Sequence, residues 1–165
     1  MSQPLSGIRV LDFSTLLPGP MAGLILAEAG AEVIKIERPG YGEEMRLYEP
    51  RFGDGSMNFA LLNRGKKSLA LDTTTPAGQE IACRLAANSD VLIENFRPGL
   101  LGRFGLDYEA VAKIAPRLIY CSLKGYLPGP YENRLALDEV VQMMGGLAYM
   151  TGPPGKPMRA GASVN

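Results

Sequence analysis

Five short apolar runs recur along the chain, and most are separated by segments with helical spacing. "IRVLDF" (8–13) is closed by a turn and followed by "GPMAGLILAEAGA" (19–31), rich in helix formers with a glycine near its end. "EVIKIE" (32–37) alternates with a period of two. Strand, helix, strand is the βαβ unit of a parallel sheet. A glycine-rich, charged stretch follows, "RPGYGEEMRLYEPRFGDGS" (38–56). A loop that long in a compact domain is expected to be functional or mobile. The pattern resumes with "KSLALD" (67–72) as a strand and "TTPAGQEIACRLAANS" (74–89) as a helix, with a Thr cap and Pro76 in its first turn. "DVLIENF" (90–96) reads as a strand, "GLLGRFG" and "DYEAVAKIA" (99–115) as short helices, and "RLIYCSLKG" (117–125) as a strand. "LDEVVQMMGGLAYM" (137–150) reads as a helix weakened by its paired glycines, and "TGPPGKP" as a turn. The pattern predicts one α/β domain over residues 1–165, a doubly wound, Rossmann-like parallel sheet. Ligands are expected at the carboxyl ends of its strands.

Composition narrows the chemistry. Apolar residues make up 46% of the 165, enough for a folded core. Lys plus Arg and Asp plus Glu both number 17, a balance that argues against nucleic acid or an acidic membrane as the main partner. No run reaches the roughly 18 apolar residues of a membrane helix, and "MSQPLSGIRV" does not read as a signal peptide. Cys83 and Cys121 are expected to be buried free thiols, in keeping with a reducing cytoplasm. With no histidine in the chain, Ser-His-Asp, Cys-His and His-ligated metal chemistry are excluded within it. Catalysis would rest on carboxylates, Lys, Tyr, backbone amides or a cofactor.

Several stretches carry candidate chemistry. The first βα turn, "STLLPGPMAGLI", offers backbone amides at a helix start to an anion, although it is not G-x-G-x-x-G. Glu37 ends the second strand where a Rossmann domain places its ribose-binding acid, or is an ordinary strand terminus. Arg38 beside it would meet a phosphate, stack on a purine, or open a loop as a solvated arginine. In "ENFRPG" (94–99), Asn95, Phe96 and Arg97 sit where a ligand would lie. Arg103 follows one turn on and could face the same anion; the alternative is a surface arginine pair near a core phenylalanine. Lys66 and Lys67 are expected in solvent. Tyr126 and Tyr131 would line a pocket or simply pack. Asp138 starts a helix, where the helix dipole favours an acid.

Six stretches in order resemble the family III CoA-transferases (CaiB/BaiF family): "PLSGIRVLDFS", "GPMAGLILAEAGAEVIKIERPG", "NRGKKSLALD", "DVLIENFRPG", "PRLIYCSLKGY" followed by "GPY", and "LDEVVQMMGGLAYMTG" running into "PMRAGASVN". The resemblance implies roles for matching positions. Leu17 and Pro18 would lie where the CoA nucleotide and pantetheine approach, and Arg38 at the nucleotide end. Leu71, Asp72, Thr73 and Thr74 would line the adenine side. Asn95, Phe96 and Arg97 would run along the CoA chain, Arg103 would contact a phosphate, and Asp138 would stand near the thioester.

The resemblance also implies a chemistry without histidine, metal, redox cofactor or any permanently bound cofactor. An aspartate carboxylate attacks an acyl-CoA thioester to give a mixed anhydride; the released thiolate then forms an aspartyl-CoA thioester. An acceptor carboxylic acid attacks next, and CoA returns to the new acyl group. Backbone amides of a glycine-rich loop would stabilise the oxyanions. By this register the nucleophile falls immediately after Asn165. A complementary piece carrying it and a second, smaller domain is therefore expected, with an interlinked homodimer for the complete protein. Competing expectations are a non-catalytic CoA-binding module, an acyl-CoA racemase and a nicotinamide-dependent dehydrogenase. Leu137, where the racemase branch has histidine, and the missing glycine fingerprint argue against the last two.

Overall fold

The computed structural model describes residues 3–161. In chain order the elements are β1 (Arg9–Asp12), α1 (Pro18–Glu28), β2 (Glu32–Glu37), a 3-10 turn (Glu44–Leu47), β3 (Arg51–Phe52), β4 (Gly55–Ser56), α2 (Met57–Asn63), β5 (Lys67–Ala70), α3 (Pro76–Ala87), β6 (Val91–Glu94), a second 3-10 turn (Leu101–Phe104), α4 (Tyr108–Ile114), β7 (Ile119–Ser122), α5 (Asp138–Met144) and α6 (Leu147–Thr151). They fall into two units, Met1–Leu123 and Lys124–Asn165. No helix among the described residues is long and apolar enough to cross a membrane.

The first unit is built on a parallel sheet in the order β5-β2-β1-β6-β7. Val10 of β1 lies opposite Val33 of β2 on one side and Val91 of β6 on the other. The chain winds outward from β1 in both directions, so the fold is the expected doubly wound α/β sheet with its switch point between β1 and β6. Successive strand residues point to opposite faces, and both faces are covered. Val10, Val33 and Ile93 pack with Ala22 and Leu26 of α1. Leu11, Ile36 and Leu92 face the other way, with Ala82 and Ala86 of α3 and Val111 of α4. Leu11 is fully buried, and truncating such a side chain to Ala costs about 2–5 kcal/mol.

Local signals explain the helix starts. Thr75 caps α3 as expected: its Oγ1 accepts from Gly78 N at 3.1 Å, and Pro76 opens the helix. Asp107 and Ser56 cap α4 and α2, accepting from Ala110 N at 2.8 Å and Phe59 N at 3.3 Å. The 38–56 stretch is not structureless; it contains the first 3-10 turn and the β3–β4 hairpin, and leads directly into α2. The helix expected over 137–150 is broken in two. Gly146 adopts φ +80°, a left-handed conformation that ends α5 and begins α6.

In the second unit, the Gln142 side chain of α5 grips the backbone of Ala160. Its Nε2 donates to Ala160 O at 3.0 Å and its Oε1 accepts from Ala160 N at 2.7 Å. Tyr126 and Tyr131 pack at a ring separation of 6.2 Å, and the Arg134 guanidinium lies 4.7 Å from the Tyr131 ring. Packing therefore accounts for both tyrosines.

Candidate functional site

All five sheet strands are parallel, so the segments that follow them gather on one edge. Residues 13–17 follow β1, Arg38 follows β2, residues 71–74 follow β5 and Asn95 to Arg97 follow β6. Three strand spacings separate β5 from β6, about 14 Å.

The segment after β1 is held unusually tightly. Five backbone groups in succession are engaged by side chains: Ser14 N donates to Asp12 Oδ1 (2.9 Å), Ser14 O accepts from Lys35 Nζ (2.7 Å), Thr15 N donates to Asn95 Oδ1 (2.8 Å), Thr15 O accepts from Asn95 Nδ2 (2.8 Å), and Leu16 N donates to Glu43 Oε1 (2.6 Å). Leu16 has φ +63°, a conformation that costs a residue with a Cβ roughly 1–2 kcal/mol. The surrounding hydrogen bonds hold it there. Directly after it come Leu17 and Pro18, both exposed, at the start of α1, which no side chain caps.

Beneath this segment lies a buried network of charges. Lys35 Nζ and Glu43 Oε2 are 2.7 Å apart, with side chains only 1% and 2% exposed. Lys66 Nζ pairs with Asp12 Oδ2 at 2.9 Å, and also donates to Pro20 O and Asn63 Oδ1 at 2.9 and 3.0 Å. Those three acceptors satisfy the three donors of an ammonium. Burial pushes the Lys66 ammonium below the usual lysine range, against the pull of Asp12. Glu37 accepts from Arg46 Nε and Nη2 (2.6 and 2.7 Å), Ser68 Oγ (2.7 Å) and Glu43 N (3.1 Å). Burial opposes its ionisation, but these donors outweigh burial and hold its carboxyl at about 2. The Arg46 guanidinium also lies 3.8 Å from the Phe59 ring centre. α1 passes so close that a Cβ on Gly23 would stand 2.8 Å from Asp12 Oδ2. A cavity of about 90 Å³ beside Lys35, Glu37, Arg46 and Lys66 is far smaller than the roughly 300–1,000 Å³ of a ligand pocket.

The structure sorts the expected residues. Arg38, Asp72, Thr74, Arg97 and Arg103 are exposed. Arg38 donates to Tyr41 Oη at 2.6 Å and lies 5.0 Å from that ring. Arg97 and Arg103 make no ion pair among the described residues. Asp72 Oδ1 accepts from Thr74 N (3.0 Å) and Thr74 Oγ1 (2.6 Å), which lowers the Asp72 pKa. Thr73 O accepts from Gln79 Nε2 at 3.2 Å. Leu71 is buried in the core, and Phe96, partly buried, packs against it. Asn95 uses both ends of its amide on Thr15. Asp138 opens α5 in the second unit, exposed, and accepts from Gln142 Nε2 at 2.7 Å. Ala162, Ser163, Val164 and Asn165, expected to approach the nucleophile, lie outside the described residues.

Two expectations are corrected and one open choice is narrowed. Lys66 is not solvated, because α1 and α2 cover it and Asp12 pairs with it; Lys67 does reach solvent, beside Glu32. Of the two readings of Glu37, the structure favours the strand terminus, here an acid buried in an ion pair, since Arg46 and Ser68 donate to both of its oxygens. Cys83 and Cys121 are free thiols but only half-buried. Lys35 and Glu43 escaped notice, although a signal existed. A lysine amid Val33, Ile34 and Ile36 in an inner parallel strand is buried on both faces and requires a buried partner.

The profile of CoA-transferase family III matches residues 5–165. The chain is 45% identical over 165 residues to a mouse succinyl-CoA:glutarate CoA-transferase, covering 98% of this chain and 38% of the relative. It is 43% identical over 162 residues to an acetyl-CoA:oxalate CoA-transferase of Acetobacter aceti, covering 97% of this chain and 42% of the relative. A CAIB/BAIF family protein from Brucella suis superimposes with a TM-score of 0.89 at 40% identity, over 98% of this chain and 44% of that one. The chain thus spans about two fifths of the length of the curated relatives it matches.

Proposed function

The chain belongs to CoA-transferase family III, and from that membership we propose that it is the CoA-binding part of an enzyme that moves CoA from an acyl-CoA donor to a carboxylic acid. The observation that carries this reading is the edge itself. Arg38, Arg97 and Arg103 are exposed; Arg38 and Arg97 follow β2 and β6, the strands that flank β1 and its preset segment 14–16. Guanidinium groups suit phosphates, which they engage in paired hydrogen bonds. An edge of about 14 Å, from the 71–74 turn to the Asn95 loop, suits an extended ligand rather than a compact one. Adenine would lie by 71–74 and the pantetheine chain by Leu17 and Asn95.

The reaction proposed is attack of an aspartate carboxylate of the complete protein on the thioester carbonyl. The CoA thiolate released in that step attacks the aspartyl carbonyl of the mixed anhydride, giving aspartyl-CoA and releasing the donor as its free carboxylate. The acceptor acid then repeats the exchange in reverse. This chain's contribution is to hold CoA. Binding energy from the remote nucleotide would position the thioester against the carboxylate. The acceptor proposed is a dicarboxylate, because the two relatives above are named for glutarate and oxalate.

The test is to incubate the complete protein with succinyl-CoA or acetyl-CoA and a set of mono- and dicarboxylates, and to identify new acyl-CoA species by mass. Transfer to a dicarboxylate is expected. Absence of any new acyl-CoA, or solvent deuterium entering the α-carbon of an acyl-CoA instead, would overturn the reading.

A further inference from the structure

We propose that the buried Lys35–Glu43 pair is a positioning device that presets the segment 14–16, so that this ligand-facing loop is shaped before any ligand arrives; that the ligand is CoA rests on the function proposed above. Each partner also engages the loop, Lys35 through the same Nζ that meets Glu43 and Glu43 through its other oxygen. Lys35 Nζ reaches Ser14 O at 2.7 Å, and Glu43 Oε1 reaches Leu16 N at 2.6 Å. Thr15, between them, is held from across the switch point by Asn95. The loop is therefore fixed from both sides, with Leu16 kept at φ +63°.

Stability alone does not account for the pair. Buried ion pairs are often no more stabilising than apolar residues of similar size, and β2 already carries Val33, Ile34 and Ile36. What apolar residues at 35 and 43 could not supply is a donor for Ser14 O and an acceptor for Leu16 N. A loop fixed in advance loses less freedom on binding, and so binds more tightly. Exposed Leu17 and Pro18 follow immediately, so the fixed backbone sets where they stand.

The test is the double variant Lys35→Met/Glu43→Leu, which removes both charges together and leaves neither buried alone. It is expected to fold with a melting temperature near the wild-type value. Amide exchange at Thr15 and Leu16 should accelerate about tenfold or more while the β1 amides stay protected, and the CoA dissociation constant should rise about tenfold or more. A folded double variant with wild-type exchange at Leu16, or with wild-type CoA affinity, overturns the proposal. Glu43→Gln supplies a second arm, because it retains an oxygen for the Leu16 amide. It is expected to protect Leu16 better than Glu43→Ala does; equal loss in the two overturns the proposal. Should the unaltered protein take up no CoA, the CoA reading fails, and the exchange measurements alone decide whether the pair presets the loop.

Discussion

Asn95 holds Thr15 by both ends of its amide: Oδ1 accepts from Thr15 N and Nδ2 donates to Thr15 O, each at 2.8 Å. The two residues belong to the loops that leave β1 and β6, on either side of the switch point. The side chain thus closes the sheet edge at the place where doubly wound sheets bind ligands. Asn95→Asp keeps the size but loses the donor, and sets a carboxylate oxygen against the Thr15 carbonyl. It is expected to lower stability by about 1–3 kcal/mol, the cost of an unsatisfied group. The urea midpoint measures this; an unchanged midpoint would show that the clamp contributes nothing.

Lys66 is the second lever. Lys66→Met strands the fully buried Asp12 carboxylate, with an expected loss of about 3–5 kcal/mol. Asp12→Asn/Lys66→Met should recover part of that loss, since no charge is then left alone. The comparison is made by denaturant titration. If the single variant is as stable as the wild type, burial of the pair is not what holds α2 and the loop.

Glu37 sets an acid-side dependence. Its folded pKa is about 2 against an ordinary value of 4.5. The depressed pKa means that ionised Glu37 stabilises the fold at pH above the unfolded value, and that this contribution fades as pH falls from about 4.5 towards 2. Its size is roughly 2–3 kcal/mol, allowing for solvent at the half-exposed Arg46. Wild type should therefore exceed Glu37→Gln in stability at pH 6, with the gap closing as the pH approaches 2. A gap independent of pH would exclude ionisation of Glu37 as its source.

Gly23 tests the close passage of α1. In an exposed helix, Gly→Ala raises stability by about 1 kcal/mol. Here the added Cβ would stand 2.8 Å from Asp12 Oδ2 and 3.0 Å from Lys66 Nζ. Gly23→Ala should instead destabilise by about 1–3 kcal/mol, as overpacking does. A raised melting temperature would mean that the network yields easily.

The sheet was legible because each inner strand is a short apolar run bounded by turn residues, and because Thr75 and Pro76 mark the start of α3 unambiguously. α2 was not: seven residues carry too little periodicity to stand out. Missing α2 hid the cover over Lys66, and with it the buried network. "EVIKIE" was legible as a strand of the parallel sheet, but the partners that bury Lys35 and Glu37 were not, since Glu43, Arg46 and Ser68 lie outside that strand. The common edge of the strand-end segments 13–17, 71–74 and 95–97 was legible, because parallel topology puts them together. How each side chain packs there is not encoded by spacing: Leu71 enters the core and Phe96 packs against it.

Titration calorimetry of the protein with CoA tests the central claim, that this edge is a CoA surface. Saturable binding of one CoA per chain is predicted, weakened by about 1–3 kcal/mol in Arg103→Ala or Arg38→Ala, with NADH binding more weakly than CoA. Absence of CoA binding, unchanged affinity in both arginine variants, or tighter binding of NADH would contradict it.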